Sequence, residues 1–332
     1  MQRVLTCLTG MIFPLLLTSC FQEDSMVLPH EQGEMLEGRV AMGGLYGTQV
    51  FYDLRENEIA ASAPVTAWDL SFACGEGAWT IRLNSSKFMY AGNSRDTSFR
   101  QVPVAEELGM KFDASNGDPD STAISDWVVQ TEDTVWSRRE VYLLDLGLDT
   151  MGNPLGNMKV QFETLGQDYR IRYARPDGSD EQVHVVVRNP LREQVYFSFR
   201  NGVVDVAPPP SGWSLLFTKY TTMLVTDEGE NYPYIVNGVL LNPAGVTAAL
   251  DTIHDFMELQ LADTLDLELT TRSDLIGYDW KYYNFDAGVY TIVPDMNYVI
   301  RDRDGFYYKL RFIDFYSDTG EKGYPHFEYL RL

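Results

Sequence analysis

Residues 49–72, QVFYDLRENEIAASAPVTAWDLSF, recur at 194–217 as QVYFSFRNGVVDVAPPPSGWSLLF without a gap. Gln49, Val50, Arg55, Pro64, Trp68, Leu70 and Phe72 meet Gln194, Val195, Arg200, Pro209, Trp213, Leu215 and Phe217. Phe51/Tyr196 and Tyr52/Phe197 are aromatic pairs. A gapless copy of this length, with its tryptophan kept, restricts the chain to a fold whose unit is used twice. The ends of the halves also correspond. Tyr142-Leu143-Leu144-Asp145 leads to Lys159-Val160-Gln161-Phe162, as Tyr298-Val299-Ile300-Arg301 leads to Lys309-Leu310-Arg311-Phe312, and the first half carries the longer turn, MGNPLGN. Two tandem units are expected, over 46–190 and 194–332. Arg188-Asn189-Pro190 joins them, because proline cannot continue a strand ladder.

Each unit reads as strand. Aromatic residues make up 13% of the chain, with 20 tyrosines and 17 phenylalanines, and such side chains favour sheets. Gln182 to Val187 is dense in β-branched residues. Tyr298 to Ile300 and Phe306 to Phe315 flank Arg301-Asp302-Arg303-Asp304-Gly305, a hairpin with Asp-Gly at its tip. Phe327, Tyr329 and Leu330, interleaved with Glu328 and Arg331, give a last half-buried strand. Short helical turns are expected only at Val104 to Met110 and Ala244 to Leu250. The expected class is all-β, built of antiparallel sheets with few short helices.

The N-terminus carries an export signal. Arg3, an apolar stretch from Met11 to Leu17, and Leu17-Thr18-Ser19-Cys20 form a lipobox. The apolar segment is too short to span a bilayer and has the length of a signal core. Residues 1–19 are expected to be cleaved, and Cys20 to carry lipid that holds the chain on a membrane. Glu23 and Asp24 behind it resemble the export signal of surface-displayed lipoproteins in the Bacteroidetes. An outer-membrane, surface-exposed lipoprotein with a flexible tether over 20–45 is the expectation. Cys7 leaves with the signal, so Cys74 alone remains. That argues against an intrachain disulfide or a thiolate-held zinc or iron–sulfur site. The net charge of −22 argues against nucleic-acid binding by phosphate neutralisation.

Local motifs for catalysis are missing from the sequence. No phosphate loop follows Gly43, Gly44 or Gly47, and neither HExxH nor GxSxG occurs. Asp113, Asn116, Asp118 and Asp120 lack the closing acid of a calcium loop. His30, His184, His254 and His326 are scattered. No enzyme and no local metal cluster is expected.

In the second half, Tyr196 to Val204, Trp213, Tyr220, Gly238, Trp280 to Asn284, Tyr298 to Arg301, Asp304-Gly305, Lys309 to Phe312 and Tyr316 follow one another in an order and spacing that resembles the HmuY family of haem-binding surface lipoproteins. The repeat extends the likeness weakly over 49–187. The resemblance implies an antiparallel all-β fold, capture of haem by a pair of axial His or Met side chains, and delivery to an outer-membrane TonB-dependent receptor. No histidine follows the Trp280 segment, where Lys281, Tyr282, Tyr283, Asn284 and Phe285 stand. The candidate haem ligands are therefore Met257, His254, Tyr283 and Met296. Met223 in the second half and Met89, Met110, Met151 and Met158 in the first supply further thioethers. The alternative is a surface lipoprotein on the same scaffold whose partner is a protein or glycan.

Overall fold

Tyr169, Ile171 and Tyr173 are buried while Arg170 and Arg172 are half-exposed. That period of two belongs to a strand with one face on a core, and it recurs along the chain. The computed structural model describes residues 33–332, within a single unit. The signal segment, Cys20 and the first part of the tether lie outside the described residues. The fold is all-β and every strand pairing between named strands is antiparallel. Helix is limited to five short 3₁₀ segments among the described residues.

Four sheets form two sandwiches of the same plan. In the first, a five-stranded sheet runs Gln182–Val186, Asp168–Ala174, Asn157–Leu165, Val141–Asp145, Tyr90–Asn93. It shares a core with the four-stranded sheet Gly202–Val204, Gln194–Ser198, Leu70–Ala73, Ile81–Leu83. In the second, a five-stranded sheet runs Leu36–Arg39, Lys322–Arg331, Tyr307–Tyr316, Asn297–Arg301, Thr247–Asp251. Its four-stranded partner is Glu58–Pro64, Thr48–Asp53, Leu215–Val225, Asn231–Leu241.

The copies exchange strands. The first sandwich is contiguous from Leu70 to Val204, so it takes Gln194–Ser198 from the second copy of the repeat. The second sandwich takes Leu36–Arg39, Thr48–Asp53 and Glu58–Pro64 from the N-terminal end. The registers are equivalent: Val195 faces Phe72, and Phe217 faces Val50. So are the ring contacts. Trp68 meets Tyr196 edge-on at 5.0 Å, and Trp213 meets Phe51 edge-on at 5.0 Å. Each tryptophan thus packs on the other copy's aromatic residue.

Equivalence extends beyond the gapless stretch. Asn84 and Asn242 are both fully buried. Asn84 donates to Val65 O at 2.7 Å and Trp68 O at 2.8 Å; Asn242 donates to Pro210 O at 2.8 Å and Trp213 O at 2.9 Å. Each carboxamide oxygen accepts a backbone N–H two residues on. Lys159 and Lys309, both buried, lie over Phe99 and Phe256 at 5.0 and 5.1 Å, and Arg172 and Arg311 cover the same two rings.

Three expectations change. The spans 46–190 and 194–332 do not mark separate sandwiches, because two of the four sheets mix strands from both spans. Leu36–Arg39, placed in the tether, pairs with Lys322–Arg331, and Val40 and Met42 behind it are buried. Helical turn at Ala244 to Leu250 gives way to the strand Thr247–Asp251, whose Ala248 hydrogen-bonds Thr270 on its open edge. Tertiary pairing overrides a weak alanine-driven propensity there. The Asp304-Gly305 hairpin stands as expected, with Gly305 at φ +91°, a conformation glycine adopts without steric cost.

Candidate functional site

The four foremost ligand candidates occupy surface positions around the second sandwich. His254 follows the strand Thr247–Asp251 and is held by Asp251, whose Oδ2 lies 2.7 Å from Nδ1. That hydrogen bond raises the His254 pKa and engages Nδ1, which leaves Nε2 as the ring nitrogen open to another partner. Met257 is 61% exposed beyond it. Met296 packs on the second core, and its neighbour Asn297 donates to His254 O at 2.8 Å. Tyr283 lies on the hairpin Lys281–Asn284/Val289–Ile292, edge-on to Phe285 and Tyr290 at 5.1 Å each. His254, Met257 and Met296 therefore share one end of the sandwich. None of the four borders the groove described next.

That groove, of about 610 Å³, has walls from both sandwiches. Residues 110–112 form one side. Lys111 exchanges backbone hydrogen bonds with Ala91 at 2.8 and 2.9 Å, which adds this segment to the edge strand Tyr90–Asn93. Tyr90 and Phe112 meet edge-on at 5.7 Å. Met110 Sδ lies 2.6 Å from where a Cβ on Gly92 would be, so glycine at 92 admits the thioether. Met223 comes from the opposite side, on Leu215–Val225 across from Pro233, and is about half exposed. Ser115 ties the sides together, with its Oγ 3.1 Å from Thr222 Oγ1 and 2.6 Å from Asp274 Oδ2.

The rim carries two cations. Arg272 donates from Nε and Nη2 to Asp274 Oδ1 at 3.1 and 3.0 Å. Lys111 is exposed and forms no ion pair among the described residues. The Tyr90 phenol is raised in pKa by burial and by Asp145, so at neutral pH it remains protonated and is a poor anionic ligand.

The groove thus offers the thioethers of Met110 and Met223, aromatic walls, the unpaired Lys111, and an Arg272 already neutralised by Asp274. Its volume falls in the range of ligand pockets. Thioether sulfur is a soft donor suited to haem iron, and lysine and arginine suit pendant carboxylates. The donor set therefore fits a haem. Met110 and Met223 stand among the seven further and foremost methionines of the sequence reading, but nothing in the chain order pairs them. Lys111, Phe112, Tyr90 and Arg272 gave no signal in the sequence. No group of three metal-ligating His, Cys, Asp or Glu side chains occurs among the described residues. Asp113, first of the acidic cluster, is buried and accepts from Leu83 N and Ala123 N at 2.7 Å each; it ties the end of the strand Ile81–Leu83 to the loop at Ala123.

Comparison with known proteins gives one family match: the family described as HmuY protein covers residues 191–329. No curated protein matches the chain. Among solved structures, apo PinO from Porphyromonas gingivitis is similar at 10% identity, with 90% of this chain and 98% of that chain covered and a TM-score of 0.30. An apo HmuY analogue from Tannerella forsythia, TFO, is similar at 10% identity, with 91% and 98% covered and a TM-score of 0.24.

Proposed function

With residues 191–329 matching the HmuY family model, we propose that this chain is a haem-binding surface lipoprotein. The observation that supports the reading is that two thioethers, Met110 and Met223, contributed by different strands and loops, line one groove. On this reading each sulfur would donate a lone pair to the iron of a flat macrocycle, while Tyr90 and Phe112 supply apolar wall. Lys111, which has no ion-pair partner among the described residues, would hold a propionate group at the mouth, whereas Arg272 is already paired with Asp274. A bound haem would supply iron with open axial positions.

The lipid at Cys20 would hold the protein on the outer membrane, facing outward. Haem would pass from it to a TonB-dependent receptor. A groove open to solvent and ligands that are neutral thioethers, weaker than a histidine pair, both suit a carrier that must release its cargo.

Titration of the full chain with haemin, before and after reduction by dithionite, tests the proposal. The expected result is a Soret shift saturating at one equivalent, with tighter binding of the ferrous form because thioether favours it. Met110→Ala and Met223→Ala should each weaken binding, and the pair should abolish the shift. A titration curve unchanged in the double variant would refute the groove as the site.

A further inference from the structure

The repeat builds a second cavity where its two copies meet. Gln49 and Gln194, and Trp68 and Trp213, all border a space of about 150 Å³ between the sandwiches. The copies are not chemically equal here. Gln194 Nε2 donates to Tyr196 Oη at 3.1 Å. The residue equivalent to Tyr196 is Phe51, which has no hydroxyl. Gln49 is only 2% exposed, and its Nε2 has no hydrogen-bond partner among the described residues. Trp68 Nε1 is likewise buried and unpartnered among them. An unmet buried donor costs about 1–3 kcal/mol, so two on one cavity point to an acceptor inside it.

Three features narrow what that acceptor belongs to. The space far exceeds the roughly 10–15 Å³ that one water requires, yet it is a quarter of the haem groove's volume. Trp68, Trp213 and Tyr196 give it flat aromatic walls. Its charged side chains are one of each sign. Arg82 donates to Gly117 O, and burial lowers its pKa. Asp113 is pushed up to about 6 by burial. A lining with neutral donors, balanced charge and aromatic faces suits an uncharged, oxygen-rich ring.

We propose that this cavity binds a single sugar ring, with Gln49 Nε2 and Trp68 Nε1 donating to ring or hydroxyl oxygens. A larger cleft of about 330 Å³ shares the walls Gln194, Tyr196, Trp213 and Pro243, which leaves room for a glycan to continue outward. The site does not depend on the haem reading, although Ala114 and Ser115 border both spaces.

Saturation-transfer NMR on the full chain with D-glucose, D-mannose and N-acetyl-D-glucosamine tests it. At least one sugar should bind. Gln49→Leu removes an unmet donor at similar volume, so it should leave the melting temperature unchanged or raised while weakening the sugar about tenfold, one hydrogen bond's worth. Trp68→Phe keeps a ring, loses the N–H, and should weaken binding alike; it decides the matter should Gln49→Leu fail to fold. Met110→Ala should leave sugar binding intact. Absence of binding by all three sugars, or binding that survives both variants, would overturn the proposal.

Discussion

Tyr52 lies in the first copy of the repeat by sequence and in the second sandwich by packing, so removing its ring separates the two descriptions. Tyr52 is 3% exposed, edge-on to Phe327 at 5.1 Å and to Phe217 at 6.3 Å. Its hydroxyl lies 2.5 Å from Asn57 Oδ1. Truncating a buried aromatic to alanine costs about 3–5 kcal/mol, and two edge-to-face partners place Tyr52→Ala near the middle of that range, about 4 kcal/mol. Native-state hydrogen exchange reads where the loss falls. Protection should drop across Asn297–Arg301 and Tyr307–Tyr316, and stay nearly constant across Val141–Asp145 and Asn157–Leu165. Phe197→Ala, whose ring sits in the first core, should give the opposite map. Loss of protection in the first sandwich on Tyr52→Ala would show that the copies fold as contiguous halves, and the exchange would be refuted.

Asn84→Ala and Asn242→Ala should be matched lesions. Each leaves two buried carbonyls and one N–H without their partner, so each should cost roughly 2–4 kcal/mol in chemical denaturation; a surface-like cost at either would sink the equivalence. Lys281 lies against Trp280 and Phe315 with Nζ 4.1 and 4.7 Å from the ring centres, and donates to Asn237 O at 2.8 Å. Burial pushes its pKa down to about 7. The unfolded chain therefore binds more protons between that value and the ordinary lysine range, and stability should rise with pH across this window by up to roughly 5 kcal/mol. Lys281→Met should flatten the slope, and an unchanged slope would assign it elsewhere.

The repeat, the strand at Gln182–Val186 and the Asp304-Gly305 hairpin were legible because each rests on local pattern: a gapless copy, β-branched density, a turn dipeptide. Partners were not. Aromatic and β-branched density says that Gln194–Ser198 is a strand, and it is buried along nearly its whole length, yet Leu70–Ala73 and Leu215–Val225 are strands of the same apolar kind, and only the three-dimensional fold chooses between them. Leu36–Arg39 was hidden for a related reason: LEGR is short and polar, and its strand character comes from the edge it covers. Asn84 and Asn242 escaped because a longer hairpin, Leu215–Val225/Asn231–Leu241, lies between the second asparagine and its repeat. In the groove, the methionine side chains were visible but their pairing was not. Met257 lies three residues from His254 in the chain, whereas Met110 and Met223 come to one groove only because residues 110–112 join a sheet edge beside the other sandwich's hairpin.

Iron-edge X-ray absorption on the full chain loaded with one equivalent of haem tests the site most directly, since it counts sulfur at the metal. Two sulfur neighbours in the ferrous protein, falling to one in Met110→Ala and in Met223→Ala, is the expected outcome. A first shell of nitrogen or oxygen alone would contradict the thioether pair and return attention to His254 and Tyr283.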